Sequence, residues 1–225
     1  MSVNKYYAFF DVDGTLLKGI SLLAFLKVFY QRKYEHLLCV GKLAYRFYLI
    51  KAWGVNKIIG SREHLNRLYY KCYRNQPIDY VANIGEDWYQ AIKRSENSFH
   101  EEVIDELRWH QRRGGEIVFV SGSFNACLKP LANDLDVQNF LCTELLVENG
   151  KYTGDIKSSL IGSGKVKAIQ NFINTKNFRN INDCYAYGDH MSDLPMLKLV
   201  GNPRVVAGNA DVELWATQNE IPILR

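Results

Sequence analysis

Four short apolar runs, most of them halted at a polar or glycine-containing turn and separated by helical stretches, constrain this chain more than any other feature. Tyr6-Tyr7-Ala8-Phe9-Phe10 stops at Asp11. Glu116-Ile117-Val118-Phe119-Val120 stops at Ser121-Gly122-Ser123. Asp183-Cys184-Tyr185-Ala186-Tyr187 stops at Gly188-Asp189, and Arg204-Val205-Val206-Ala207 is a fourth run. Such runs read as buried strands. Residues 99–113 (with Val103, Ile104, Leu107 and Trp109, ending at Gly114-Gly115), 124–135 and 165–173 read as helices. Strands alternating with helices predict an α/β, Rossmann-like fold with a mostly parallel sheet covered on both faces.

Two interruptions refine this picture. Leu145-Leu146-Val147-Glu148 and Lys151-Tyr152-Thr153-Gly154 flank Asn149-Gly150, a two-residue hairpin signal. A far longer break separates the first strand from the helix at Phe99, where a strand-to-helix loop usually takes about 2–6 residues. It carries helical periodicity of its own. Leu22, Phe25, Leu26 and Phe29 form one apolar stripe; Leu37, Val40, Ala44, Phe47 and Tyr48 form another. The expected organisation is a core domain of residues 1–16 and 99–225 with an inserted all-helical cap, residues 17–98.

The five cysteines are scattered, odd in number and without a C-x-x-C pair. This argues against a disulfide framework or a zinc site and favours a reducing, cytoplasmic setting. No secretory leader is expected, because Asp13-Gly14 arrives too early for its apolar core. The charges between Leu22 and Ile59 break every run short of the ~18 residues a membrane span needs. The net charge of +4 is uneven. Residues 18–98 hold fourteen Lys/Arg against six Asp/Glu, so a basic segment sits within an acidic frame. Such a segment can draw in phosphorylated ligands or an anionic membrane, or simply form solvated helix faces.

The chemistry concentrates in four elements that an open parallel sheet can gather at the carboxyl ends of its strands. They are Asp11-Val12-Asp13-Gly14-Thr15, Ser121-Gly122-Ser123, Gly164-Lys165, and Gly188-Asp189 followed by Asp193. Each alone is unremarkable: an Asp-x-Asp pair is commonly a turn, and a lone Ser-Gly-Ser usually is. Together they set four carboxylates in one place. Like charges 4 Å apart repel by roughly 4 kcal/mol per pair at an effective dielectric of 20. Such a cluster needs a cation or protonation, and hard oxygen ligands suit Mg2+ shared with a phosphate. Lys165, Ser121 and the amides of Gly122 and Ser123 are the donors for a bound oxyanion.

Competing motifs fail. Gly162-Ser163-Gly164-Lys165 lacks the first glycine of a phosphate-binding loop (Ser159 stands there) and has Val166 in place of the metal-holding Ser or Thr. There is no G-x-G-x-x-G and no G-x-S-x-G, and the five histidines show no ligand spacing. His190 adjoins Asp189, which leaves it either near the substrate or structural.

At these residues the sequence resembles the haloacid dehalogenase (HAD) superfamily. Its four motifs match Asp11–Thr15, Ser121, Lys165 and Gly188–Asp193, and the helical insert looks like the cap of the phosphoserine-phosphatase-like branch. The segments Glu148–Gly154, Gly164-Lys165 and Gly188–Pro195 are similar to that branch's subfamily IB hydrolases. The resemblance implies a phosphomonoester hydrolase with a HAD fold. Asp11 is then the nucleophile that becomes an aspartyl-phosphate, and Asp13 the general acid and base. Asp11, Asp13 (through its carbonyl) and Asp189 hold Mg2+ with Asp193 in support. Ser121 and Lys165 are catalytic, and Thr15, Ser121, Gly122, Ser123 and Lys165 bind phosphate. Phosphotransfer to an alcohol acceptor and a non-catalytic phosphate-binding role remain alternatives.

The expected partner is a small phosphorylated substrate, not nucleic acid; peripheral contact with an anionic membrane is compatible with the basic segment. Oligomeric state stays open. The resemblance fits phosphoserine poorly: the family's phosphoserine phosphatases carry a Glu soon after the first motif to hold the substrate's amino group, whereas residues 16–34 here contain no Glu or Asp but do contain Lys18, Lys27, Arg32 and Lys33. The resemblance to the IB hydrolases makes a lipid phosphate the alternative substrate.

Overall fold

The computed structural model describes residues 6–19, 21–37, 39–60 and 62–225. Along the chain, β1 (Tyr7–Phe10) is followed by four helices: α1 (Ser21–Lys33), α2 (Val40–Ile59), α3 (Arg62–Tyr70) and α4 (Ile78–Lys93). Next come α5 (Glu101–Arg112), β2 (Glu116–Phe124), α6 (Asn125–Asp134), β3 (Asn139–Glu148), β4 (Lys151–Ser158) and α7 (Ser163–Thr175). The chain ends with β5 (Tyr185–Gly188), α8 (Leu194–Leu197), β6 (Asn202–Val206), α9 (Ala210–Gln218) and β7 (Ile223–Leu224).

The seven strands form one sheet in the order β4-β3-β2-β1-β5-β6-β7, parallel except for β4, which turns back on β3 at Asn149-Gly150. This is the mostly parallel α/β architecture that the strand–helix alternation predicts. β1 lies near the centre with all four residues buried, as expected of a strand covered on both faces. Its side chains alternate between two cores. Ala8 and Phe10 join Ile117, Phe119 and helices α5 and α6; Tyr7 and Phe9 join Val118, Val120 and helices α7 to α9.

Helices α1 to α4 extend the first core over the carboxyl end of the sheet. Phe25, Phe29, Tyr69, Tyr70 and Tyr73 gather around Phe124 in mostly edge-on or tilted contacts, with ring centroids for the neighbouring pairs 4.8–6.5 Å apart, the geometry aromatic quadrupoles prefer. Gly85 of α4 meets the carbonyl of Ala126 on α6 so closely that a Cβ there would lie 1.9 Å from that oxygen. Backbone bonds tie the segment before α4 to the hairpin: Asn75 and Ile78 N–H donate to the carbonyls of Tyr152 and Gly150, and Tyr152 N–H donates to that of Gln76. The chain leaves and re-enters the core side by side, with Lys18 N–H donating to the Ser98 carbonyl and His100 N–H to that of Leu16.

Two local expectations change. Ser121-Gly122-Ser123 lies inside β2, not beyond it. The pairing with β3 slips between Ser121 and Phe124, and Ser123 N–H donates to Ser121 Oγ at 3.0 Å across the irregularity. The second cap stripe forms a helix from Val40 onward, but only part of the stripe is buried. Leu37 and Phe47 are exposed, whereas Gly41 and Tyr48 face inward with Tyr45, Leu49 and Ala52 packed beside them. Gly41 decides this side, because α1 passes so close that a Cβ would sit 2.6 Å from the Tyr30 carbonyl.

Candidate active site

Each candidate side chain is set by the end of a β-strand or the start of a helix. Asp11 directly follows β1, and its N–H donates to the Tyr187 carbonyl at 3.0 Å, carrying the β1–β5 pairing one residue further. The chain then coils tightly, with Leu16 and Leu17 N–H both donating to the Val12 carbonyl. Gly14 adopts φ +83°, and a Cβ on it would fall 2.3 Å from Asp189 Oδ2. A side chain at this position is excluded both by the backbone conformation and by the carboxylate it faces.

Lys165, in the first turn of α7, reaches back into the site. Its Nζ donates to Asp11 Oδ1 at 2.5 Å and to Asp193 Oδ1 at 2.7 Å. All three groups are nearly inaccessible to solvent. Asp193 is fixed in turn by His190 N–H at 3.2 Å, part of a reciprocal cap in which His190 Nδ1 accepts from Ser192 N–H. Asp189 accepts from the Thr15 hydroxyl at 2.9 Å, and Asp13 accepts from Ser21 N–H at 2.5 Å, where α1 begins.

A cavity of about 720 Å³ opens onto Asp11, Asp13, Gly122, Lys165, Asp189 and Asp193. Thr15, Ser121 and Ser123 lie behind it, fully buried, and do not line it. Thr15 therefore meets a carboxylate, and Ser121 accepts the Ser123 amide while keeping a hydroxyl proton to donate. His190 lines the cavity from within its own cap.

The electrostatics of this cluster are unbalanced. Four carboxyls face one ammonium. Burial pushes the Asp11 carboxyl up to about 8; Lys165 opposes the shift, while Asp193 and Asp13 reinforce it. Asp13 and Asp189 are also raised, again chiefly by burial. Lys165 is raised despite burial, held charged by Asp11 and Asp193. One oxygen each from Asp11, Asp189 and Asp193 lie within 4.8 Å of one another. The donors are all hard oxygens in a small, electron-rich cage, which fits a divalent cation of the Mg2+ class and would reverse the upward drift of the carboxyls.

The profile of the haloacid dehalogenase-like hydrolases matches residues 8–198. The chain belongs to this family. Among relatives of the hydrolase, a Mycobacterium tuberculosis protein named "probable phosphatase" is 28% identical over 227 residues, covering 96% of this chain and 74% of that one. Two solved structures share its fold. A Bordetella pertussis protein of unknown function superposes with a TM-score of 0.84 at 18% identity, over 100% of this chain and 99% of that one. A phosphoserine phosphatase in its apo form gives 0.65 at 19% identity, over 99% and 94%.

The roof of the cavity was not legible as a site in the sequence. Leu49, Ala52 and Trp53 of α2 and Leu65 and Asn66 of α3 line it. No sequence signal marked these residues: Asn66 stands in the mostly polar run Arg62-Glu63-His64-Leu65-Asn66-Arg67.

Proposed function

We propose that this hydrolase is a Mg2+-dependent phosphatase acting on phosphate monoesters through an aspartyl-phosphate on Asp11. The observation that supports this most is the Lys165 ammonium held between Asp11 and Asp193, with Asp189 beside them. A carboxyl in that position keeps its nucleophilic form only with positive charge around it. Lys165 engages Oδ1, so the attack falls to the other oxygen of Asp11. The Asp11–phosphorus bond forms as the ester oxygen departs. Asp13, whose carboxyl burial raises, gives its proton to that oxygen. Asp13 then takes a proton from the water that attacks phosphorus, the Asp11–phosphorus bond breaks, and inorganic phosphate leaves. Lys165, which lines the cavity, balances charge on the transferring group, and the Ser121 hydroxyl, buried behind the wall at Gly122, is assigned the same role on the strength of the free proton it keeps. Mg2+, held by Asp11, the Asp13 carbonyl and Asp189 with Asp193 in support, would supply the remaining stabilisation of the phosphoryl oxygens. Thr15 serves by orienting Asp189. Phosphate release from an aryl phosphate, with Mg2+ or EDTA and with Asp11→Asn as control, tests the assignment: Mg2+-independent release, or an active Asp11→Asn, rejects it. Added acceptor alcohols, read by product analysis, separate hydrolysis from phosphotransfer.

A second observation bears on where the enzyme works. Leu43, Phe47, Ile50, Trp53 and Ile58 of α2 are 60–86% exposed and share one broad face. Lys42, Arg46, Lys51 and Lys57 flank it, and α2 holds no acidic residue. A second copy of the chain would set these cations against one another, whereas an anionic bilayer complements them. Each basic residue near such a surface adds about 1 kcal/mol. Among the described residues no helix is long and apolar enough to cross a membrane, so the contact is peripheral, from the cytoplasmic side where the five free cysteines stay reduced. Sedimentation with phosphatidylserine vesicles at low salt tests this; binding that is absent, or indifferent to Phe47→Asp, removes it.

A further inference from the structure

The cavity above the carboxylates has a floor and a roof of opposite character. Every ionisable carboxylate, ammonium or imidazole that lines it, among the described residues, belongs to the floor: Asp11, Asp13, Lys165, Asp189, His190 and Asp193. The roof is built by Leu22 and Leu23 of α1, Leu49, Ala52 and Trp53 of α2, and Leu65 of α3. The roof's polar side chains are Tyr48 and Asn56 of α2 and Asn66, which is 7% exposed and whose Nδ2 has no hydrogen-bond partner. Tyr69 also lines the cavity; its hydroxyl accepts from Tyr73 at 2.7 Å and keeps its own proton to donate.

A phosphoryl group seated at Asp11 directs its ester oxygen and the alcohol behind it toward this roof. A charged alcohol would surrender its hydration there without meeting a counter-charge, whereas hydrocarbon would replace water against leucine and tryptophan. The volume of about 720 Å³ matches that of sites for ligands well beyond a single amino acid. The unpartnered Asn66 amide is suited to one neutral oxygen, a hydroxyl or an ester carbonyl, close to the phosphate.

We infer that the substrate is a phosphate monoester of an uncharged, largely apolar alcohol, whose hydrocarbon body packs beneath Leu49, Ala52 and Trp53. This rests on the phosphatase reading and narrows it.

The test is kcat/KM with Mg2+ across n-alkyl phosphates from propyl to octyl, which share one leaving-group chemistry, together with O-phosphoserine and p-nitrophenyl phosphate. The expected result is a rise of about fourfold per methylene over the first several carbons, corresponding to about 0.8 kcal/mol each. O-Phosphoserine should fall at least tenfold below hexyl phosphate. Ala52→Asp should flatten the chain-length series and narrow the gap to O-phosphoserine; should that variant fail to fold, Leu49→Ala should still reduce the slope. Asn66→Leu should leave the alkyl series rising while lowering turnover of 2-hydroxyalkyl phosphates relative to it. Hydrolysis of free octyl phosphate, or of a diacylglycerol phosphate in vesicles, distinguishes a soluble source from a membrane source, and either supports the inference. A flat alkyl series beside active p-nitrophenyl phosphate turnover, or preference for O-phosphoserine, overturns the inference alone. No turnover of any ester overturns the phosphatase reading and the inference with it.

Discussion

Lys165 Nζ lies 2.5 Å from Asp11 Oδ1, joining two residues 154 positions apart in a pocket almost closed to water. This pair is the electrostatic centre of the site. Removing the ammonium leaves Asp11 and Asp193 facing each other unneutralised. Lys165→Met should therefore lower kcat by about 10²–10³, the effect of losing one preorganised charge stabiliser. It should also make the fold more dependent on added Mg2+. Steady-state kinetics and thermal denaturation with and without the metal check both expectations.

Burial raises three of the site's carboxyls, so a cation that enters their cage should stabilise the native state by mass action. At a hundredfold excess over Kd the gain is about 2.7 kcal/mol. Thermal denaturation should shift upward with Mg2+ and return with EDTA. In Asp189→Asn the shift should shrink sharply at the same Mg2+ concentration. A full shift in that variant would move the cation away from Asp189.

Gly14 leaves no room for a side chain beside Asp189 Oδ2. Gly14→Ala should therefore displace Asp189 or the 11–17 turn. Activity should drop at least tenfold and the Mg2+-induced thermal shift should weaken, while the far-UV circular dichroism stays near wild type. Unchanged kinetics would mean that the turn is not held as described.

A buried chain of polar groups lies under the sheet end. Tyr187 donates its hydroxyl proton to Glu106 at 2.7 Å, so its oxygen accepts from His110 Nε2–H at 2.9 Å, and His110 Nδ1 accepts from Tyr6 at 3.0 Å. Burial, with Arg204 and Arg113 adding, lowers His110 to about 4. The unfolded chain takes up this proton near pH 6.5 and the folded chain only near 4. Stability from this group is thus complete above pH 6.5 and is lost as pH falls from 6.5 toward 4, by at most about 3 kcal/mol. Wild type should lose thermal stability across that window, and the difference between wild type and His110→Gln should narrow there. A constant difference from pH 7.5 to 4.5 would contradict the neutral buried histidine.

Much of this was legible in the chain because strand ends are marked locally. The apolar run Tyr7–Phe10 and its stop at Asp11, or Tyr185–Tyr187 before Gly188-Asp189, declare both the strand and the group it delivers. The hairpin at Asn149-Gly150 was legible for the same reason. What stayed hidden depends on contacts between distant residues. Of the stripe Leu37, Val40, Ala44, Phe47 and Tyr48, Tyr48 faces inward while Leu37 and Phe47 do not, because the approach of α1 at Gly41 sets which side of α2 is buried. The contact of the Thr15 hydroxyl with Asp189, 174 residues away, has no local mark in the sequence. The Tyr6–His110–Tyr187–Glu106 chain joins α5, β5 and the residue before β1, which lie far apart in the sequence.

The most direct test of the central claim is an acid-quenched single turnover with a ³²P-labelled phosphate monoester, followed by peptide mapping. Label that reaches the peptide containing Asp11, is released by neutral hydroxylamine and vanishes in Asp11→Asn is the predicted result. Turnover without protein-bound label in the quench window, or label on a histidine or serine that persists in Asp11→Asn, would contradict it.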